Sequence, residues 1–319
     1  MRNPRNPRNP KLIAAFACAI LAGPACTAAQ GNAAAQMAAP PAAPAANWTA
    51  VDQAFGRPGT MMPGDVNRYA FPRSDLSVVA HGVPIKPAFA LGGWLAFKMV
   101  DSKTAMVMGD LVLLETEIAP VVAALQAGGI SQTALHNHMN GEQPAVWYLH
   151  VMAHGEPASI ARAARKALET TKTPLATPGP AAVTTVDLDT AAMNRTIGVA
   201  GRVTGGVVQY SVARVEAIMQ AGHEVPPAMG TSTPINFQPT GGGKAAILGD
   251  FVTLADEANA VIRVLSDGGI AITSMHSHMT DELPRLTMIH FWANDDAVKL
   301  ARVLGAALDK TKSKRAAAR

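Results

Sequence analysis

The chain has 319 residues, enough for about two domains with a core each, and its composition of 49% apolar and only 5% aromatic residues points to packing by Ala, Val, Leu and Met. The formal charge of +4 sits at the ends: residues 1–11 hold four basic groups and residues 309–319 hold five, which leaves 18 basic against 22 acidic residues in the body, 12–308. That body lacks the basic face a phosphate backbone requires, so no nucleic-acid partner is expected.

Residues 1–29 read as a secretory signal peptide. Arg2, Arg5, Arg8 and Lys11 precede the apolar run LIAAFACAILA, which is too short to span a bilayer as a helix and is followed by small residues. Cleavage is expected near Ala29, and without paired arginines the general secretory route fits, giving an extracytoplasmic protein, periplasmic or secreted. Membrane contact is expected only if Cys26 carries a lipid anchor, and GPAC lacks the Leu-like residue three positions upstream. Cys18 and Cys26 both lie in this segment, so the mature chain has no thiol for a nucleophile, an iron–sulfur cluster or a Cys-type zinc site. Residues 30–47 are an Ala/Pro-rich tether.

Beyond the tether the chain is duplicated. MGDLVLLETEIAPVVAALQAGGISQTALHNHM aligns without a gap on LGDFVTLADEANAVIRVLSDGGIAITSMHSHM at an offset of 140 residues. Repeat 1 spans 48–172, a Pro/Thr-rich linker 173–186, repeat 2 187–312, and a basic tail 313–319. In each repeat an apolar strand (TAMVMGDLVLL, KAAILGDFVTL) leads into a helix with acidic residues in its first turn and Gly-Gly as its stop. A hairpin follows (ISQTALHNHM and PAVWYLHVMA in repeat 1), and PASIARAARKAL closes the unit as an amphipathic helix. The expected fold is α+β: two pseudo-symmetric repeats, each an antiparallel sheet with a β-α-β-β-α unit and helices on one face.

The hairpins carry the chemistry. ALHNHMNGEQPAVWYLH and SMHSHMTDELPRLTMIH share His-x-His, a Glu four residues on, a Pro, and a third His. Side chains at i and i+2 of a strand share a face, so His136 with His138, and His276 with His278, converge on one ion. His150 and His290 join them if the paired positions of the hairpin sum to an even number. Glu142 and Glu282, in the connecting turns, complete the expected ligand sets or act as general bases on bound water. Three imidazoles and a carboxylate suit a divalent transition metal, Zn, Mn, Fe or Cu. The function expected is metal binding, with a metal-dependent enzyme on a small molecule as one extension and a non-catalytic metal or small-ligand carrier as the alternative. A third reading has the histidines only hydrogen-bond an organic ligand.

Other recurrent residues read as structural. Met139 and Met279 alternate to the opposite strand face and read as core. Asp110 and Asp250 interrupt apolar strands and need partners. Glu117 and Glu257 begin helices, where the dipole favours them. Arg73 and Arg214 read as ion-pair members, His81 and His223 as turn residues, and His154 has Asn294 as its counterpart.

PRSDL, GVPIKPA, MGDLVL and ALHNHMNGE resemble signature stretches of the LppY/LpqO-like family of secreted and lipoprotein-type bacterial proteins, over about residues 48–312. That resemblance implies an exported protein of uncharacterised function. HNHMNGE and HSHMTDE also resemble the first metal-binding motif of cupins in ligand spacing alone, since the flanking helices do not suit a cupin barrel.

Overall fold

The computed structural model of the protein describes residues 46–177, 179 and 185–315. The segment expected as a signal peptide, Cys26 and the expected tether before residue 46 lie outside the described residues, as do parts of the linker and of the tail. Among the described residues no helix is long and apolar enough to cross a membrane.

The two repeats contain the same elements in the same order. Repeat 1 runs α1 (Thr49–Phe55), β1 (Thr60–Met62), β2 (Val66–Pro72), β3 (Val78–Ala80), β4 (Val83–Ile85), α2 (Pro87–Ala90), β5 (Gly92–Met99), β6 (Ala105–Leu114), α3 (Glu115–Ala127), β7 (Ser131–His136), β8 (Val146–Gly155) and α4 (Pro157–Leu168). Repeat 2 runs α5 (Thr190–Ile197), β9 (Arg202–Thr204), β10 (Val207–Ala213), β11 (Met219–Gln220), β12 (His223–Glu224), a short 3-10 turn (Pro227–Met229), β13 (Ser232–Gly241), β14 (Lys244–Thr253), α6 (Ala255–Asp267), β15 (Ala271–His276), β16 (Thr287–Asp296) and α7 (Ala297–Leu308). Each repeat folds as a six-stranded sheet, ordered β1-β2-β5-β6-β8-β7 in the first and β9-β10-β13-β14-β16-β15 in the second, with every pairing antiparallel. The α+β expectation, including the β-α-β-β-α unit, holds in both.

The two sheets face one another, with α1, α3, α4, α5, α6 and α7 on the outside and the short α2 in the layer between the sheets. The apolar character of β6 and β14 along nearly their whole length follows from this, because a central strand covered on both faces has no side to leave polar. Along β6, Val107, Leu111 and Leu113 pack with Val121 and Leu125 of α3 and Ala164 and Leu168 of α4. The alternate residues Met106, Met108 and Val112 face the other sheet, in two clusters that mix residues of both repeats. Between these clusters, Asp110 and Asp250 break the apolar inner face.

A buried ion pair fixes each repeat's helical layer to its sheet. Arg73, at the end of β2, reaches Glu117 of α3 through two bonds, Nη1 to Oε2 at 2.6 Å and Nη2 to Oε1 at 3.1 Å, and Nη1 also donates to the Val112 carbonyl at 2.8 Å. Glu117 in turn accepts the Leu114 amide at the start of α3 and the Lys172 amide beyond α4. Arg214 and Glu257 repeat the arrangement at 2.7 Å and 3.0 Å. The ion-pair reading of the two arginines is thus met, and the two glutamates serve both as helix-start groups and as the partners.

Arg73 is fully buried, so removing it strands the Glu117 carboxylate. Arg73→Ala is expected to lower unfolding stability by about 3–5 kcal/mol, and Glu117→Gln by less, because the amide oxygen still accepts one of the two backbone bonds. Urea denaturation checks both, and a loss under about 1 kcal/mol for Arg73→Ala contradicts the role given to this pair.

Candidate metal centre

The register of the hairpins decides which histidines meet. β7 pairs with β8 so that Ala134 lies opposite His150 and His136 opposite Tyr148. β15 pairs with β16 so that Ser274 lies opposite His290 and His276 opposite Met288. All these pairs sum to even numbers, so the first and third histidines of each repeat share the inner face of their sheet. The second histidine lies beyond the strand. β7 ends at His136 and β15 at His276, since a side chain takes over from the backbone ladder at the next residue: Asn137 Nδ2 donates to the Val146 carbonyl at 2.9 Å, and Ser277 Oγ to the Leu286 carbonyl at 3.2 Å.

The two loops then reach across to the opposite repeat. Thr133 Oγ1 donates to the His278 carbonyl at 2.6 Å, and Thr273 Oγ1 donates to the His138 carbonyl at 2.8 Å. The imidazoles follow their loops. His138 lies with its ring centroid 4.1 Å from that of His290, and His150 lies 3.9 Å from His278. His136 and His276 stack at 3.7 Å between them. The six histidines expected as two separate sets form one cluster between the sheets.

The donor atoms overlap accordingly. Asp250, His276, His278 and His290 offer ligand atoms all within 4.8 Å of one another, and so do His136, His150 and His276, and His136, His138 and His290. Two of these three groups combine both repeats. In repeat 2 the Nδ1 atoms of His276, His278 and His290 lie 3.2, 3.0 and 3.2 Å from the carbonyl oxygens of Ser277, Gly230 and Gly249. A ring fixed in this way by a backbone acceptor holds Nε2 free toward a metal. His276 and His290 bring their Nε2 atoms to 2.8 Å, and His278 Nε2 lies 3.1 Å from Asp250 Oδ2. Both ring nitrogens of His136, Nε2 of His138 and His150, and Oδ1 of Asp110 and Asp250 are buried without a hydrogen-bond partner among the described residues.

Burial and crowding set the protonation. Burial, then the neighbouring imidazoles, holds His136, His138 and His150 well below the usual histidine range. Burial pushes His276 down to about 3 and lowers His290 as well. His278 is raised: burial opposes its charge, but the Asp250 carboxylate outweighs it. The carboxylates split. Asp110 is pushed up to about 7 by burial, whereas His290 and His278 hold Asp250 below the ordinary range in spite of its burial. The difference follows from their partners: Asp250 accepts a 3.1 Å contact from His278 Nε2, whereas Asp110 faces the Asp250 charge, which adds to the effect of its burial.

Glu142 and Glu282, expected as ligands or general bases, belong to none of the three donor groups. Glu142 accepts the Val146 amide at 3.2 Å, and Glu282 accepts the Leu286 amide at 2.8 Å and an Arg285 bond at 2.9 Å. Their carboxylates brace the hairpin turns. The carboxylates beside the histidines are Asp110 and Asp250, each directly across the strand pair from His150 or His290. Their signal in the sequence was a lone acid after Gly in an apolar strand. His81, His154 and His223 lie outside the cluster, and Met139 and Met279 are buried in the apolar layers beside it.

The family described as "Domain of Unknown Function (DUF1259)" matches residues 49–170 and again residues 191–310. No curated protein matches the chain. Among solved structures the chain is similar to the trimeric bacterial microcompartment shell protein PduB, at 10% identity over 81% of this chain and 96% of that one with a TM-score of 0.23. It is likewise similar to EtuB from Clostridium kluyveri, at 10% identity over 79% and 89% with a TM-score of 0.20. At those scores neither likeness bears on the fold or the site.

The lowered imidazoles make stability pH-dependent. An unfolded chain protonates its histidines near 6.5, while five of the six here resist protonation to lower pH. The unfolded state therefore binds more protons below 6.5, and stability falls as pH falls. Raised His278 and Asp110 act in the opposite sense, two groups against five. Chelator-treated protein should lose melting temperature steadily from about pH 7 to about pH 5. A melting temperature that is level or rises on acidification through that window contradicts the neutral cluster.

Proposed function

The chain belongs to the Domain of Unknown Function (DUF1259) family in two tandem copies, and we propose that the two copies together form one transition-metal centre whose function is to bind and retain the ion. The observation that carries this is the convergence of buried, unpartnered imidazole nitrogens from both repeats beside two carboxylates. Buried polar atoms left without partners are costly, at roughly 1–3 kcal/mol each, and a metal ion would satisfy several at once. The donor set of neutral imidazoles with carboxylate suits zinc, manganese, iron or copper. Neutral imidazoles are the ligating form, so the lowered protonation favours binding at neutral pH.

A binding or carrier role fits the site better than catalysis. His136, His150, His278 and His290 are buried and His138 and His276 half-buried, so little of the cluster is open to a substrate. The glutamates proposed from sequence as general bases are engaged by backbone amides, which removes their support for an enzyme reading. We further propose that the protein works outside the cytoplasm, on the signal-like first 29 residues, and that it is LppY/LpqO-like, on the signature stretches quoted above. In that setting its partner is a metal ion or a small metal complex.

Metal analysis of protein purified without chelators tests the shared centre. On a shared centre His136→Ala is expected to remove most of the bound metal although the Asp250, His276, His278 and His290 group stays complete, because the ion loses the repeat 1 ligand common to two of the three donor groups. Two independent sites would instead lose at most half. The double variant Glu142→Gln, Glu282→Gln should retain its metal. Loss there, or a wild type that carries none, contradicts the assignment.

A further inference from the structure

The two apolar layers flanking the histidines occupy equivalent places in the duplication, yet their side chains differ in one direction. On one flank lie Met106, Met108, Met229 and Met288, buried, with Met152 packed against them. At offset 140 the counterparts are Ala246, Leu248, Phe89, Tyr148 and Trp292, which all lie in the other flank. Five equivalent positions are thus thioethers on one side and aromatic or aliphatic groups on the other. Some other positions match, as Val112 matches Val252 and Met139 matches Met279, while Trp94 on the methionine flank has Pro234 as its counterpart.

The methionines sit next to the ligands. Met108 is two residues from Asp110 on β6, and Met288 two residues from His290 on β16, so each shares a strand face with its neighbour. Met288 is also the cross-strand partner of His276, and Met108 that of Met152. Outward, Met62 packs against the same cluster and lines a surface cavity of about 330 Å³ with Pro226, Pro227 and Ala228, the last adjacent to buried Met229. On the other flank the Tyr148 ring lies over His138 at 3.3 Å, held by a 2.7 Å bond from its hydroxyl to the Ala90 carbonyl.

Charge on the methionine side also discriminates. Arg68 is partly buried there, over the Trp94 ring at 4.2 Å and bonded to the Ala228 carbonyl at 3.2 Å. Its counterpart on the other flank, Gln209, makes the matching bond to Ala88 without a charge. A guanidinium beside the Ala228 wall of that cavity repels an entering cation in proportion to its charge, so a monovalent ion meets half the repulsion of a divalent one there. Thioether sulfur is a soft ligand that favours cuprous copper over zinc or manganese.

We infer that the centre takes copper in its monovalent state, and that the methionine flank is both its approach from the Met62 cavity and a source of thioether ligation. This rests on the metal reading given above. Full-length mature protein would be titrated anaerobically with tetrakis(acetonitrile)copper(I) against bathocuproine disulfonate, and separately with zinc(II) against a colorimetric chelator. The double variant Met108→Leu, Met288→Leu keeps side-chain volume and apolarity, so it should stay folded. Its Cu(I) affinity should fall by about tenfold or more while its zinc affinity is unchanged. Copper-edge X-ray absorption of the wild type should show sulfur among the scatterers, a readout that needs no variant. Wild-type Cu(I) affinity in the double variant, with nitrogen and oxygen scatterers alone, reduces the methionines to packing and overturns the inference. A wild type that binds neither ion overturns the metal reading itself, and the inference with it.

Discussion

Six imidazoles and two carboxylates lie where two sheets meet, and the rest of the structure is arranged around the burial of these groups. Polar side chains at such an interface have to be paired or bound, because the low-dielectric interior makes each unpartnered one costly. Here repeat 2 pairs one nitrogen of each ring with a backbone carbonyl and turns the other toward the centre. Repeat 1 leaves more of its nitrogens without partners. A metal ion held by these groups would give several of those atoms a partner at once.

The crossing of the loops makes the histidine cluster common to both repeats, although one of its donor groups lies wholly in repeat 2. A His-x-His motif confined to one strand would hold an ion within one repeat. Here the strand stops after the first histidine, and the Thr133 and Thr273 hydroxyls tie the backbone at each second histidine to the opposite repeat, while His278 also stays beside Asp250 of its own repeat. Glu142 and Glu282 support that geometry from the turns by accepting the amides that open β8 and lie just before β16. The buried pairs Arg73–Glu117 and Arg214–Glu257 hold helices to sheets on the outer side, so the inner faces are positioned independently of the site they build.

Much of the fold was legible because the physics is local. The helix of PASIARAARKAL appears as Pro157–Leu168, and the β-α-β-β-α unit recurs as expected. The even-sum register condition for His150 and His290 also holds, since strand alternation is a property of each strand alone. The face-to-face placement of the repeats was not legible. The continuous apolarity of β6 fits a strand buried under helices alone as well as one covered on both sides. Without that placement, spacing pointed to Glu142 as the fourth ligand, whereas the neighbouring carboxylate is Asp110, remote in sequence and brought across from His150 by sheet pairing. The Met/aromatic asymmetry was equally hidden, because it exists only between flanks that each mix residues of both repeats.

The central claim is that a metal at this site is held by both repeats at once. Anomalous diffraction from crystals of metal-loaded protein, collected at the absorption edge of the bound metal, tests it most directly. The account predicts anomalous density between the sheets, beside the stacked rings of His136 and His276, within bonding distance of nitrogens from both repeats. Separate peaks in the two hairpin turns, each bonded to Glu142 or Glu282 and to histidines of a single repeat, would contradict it.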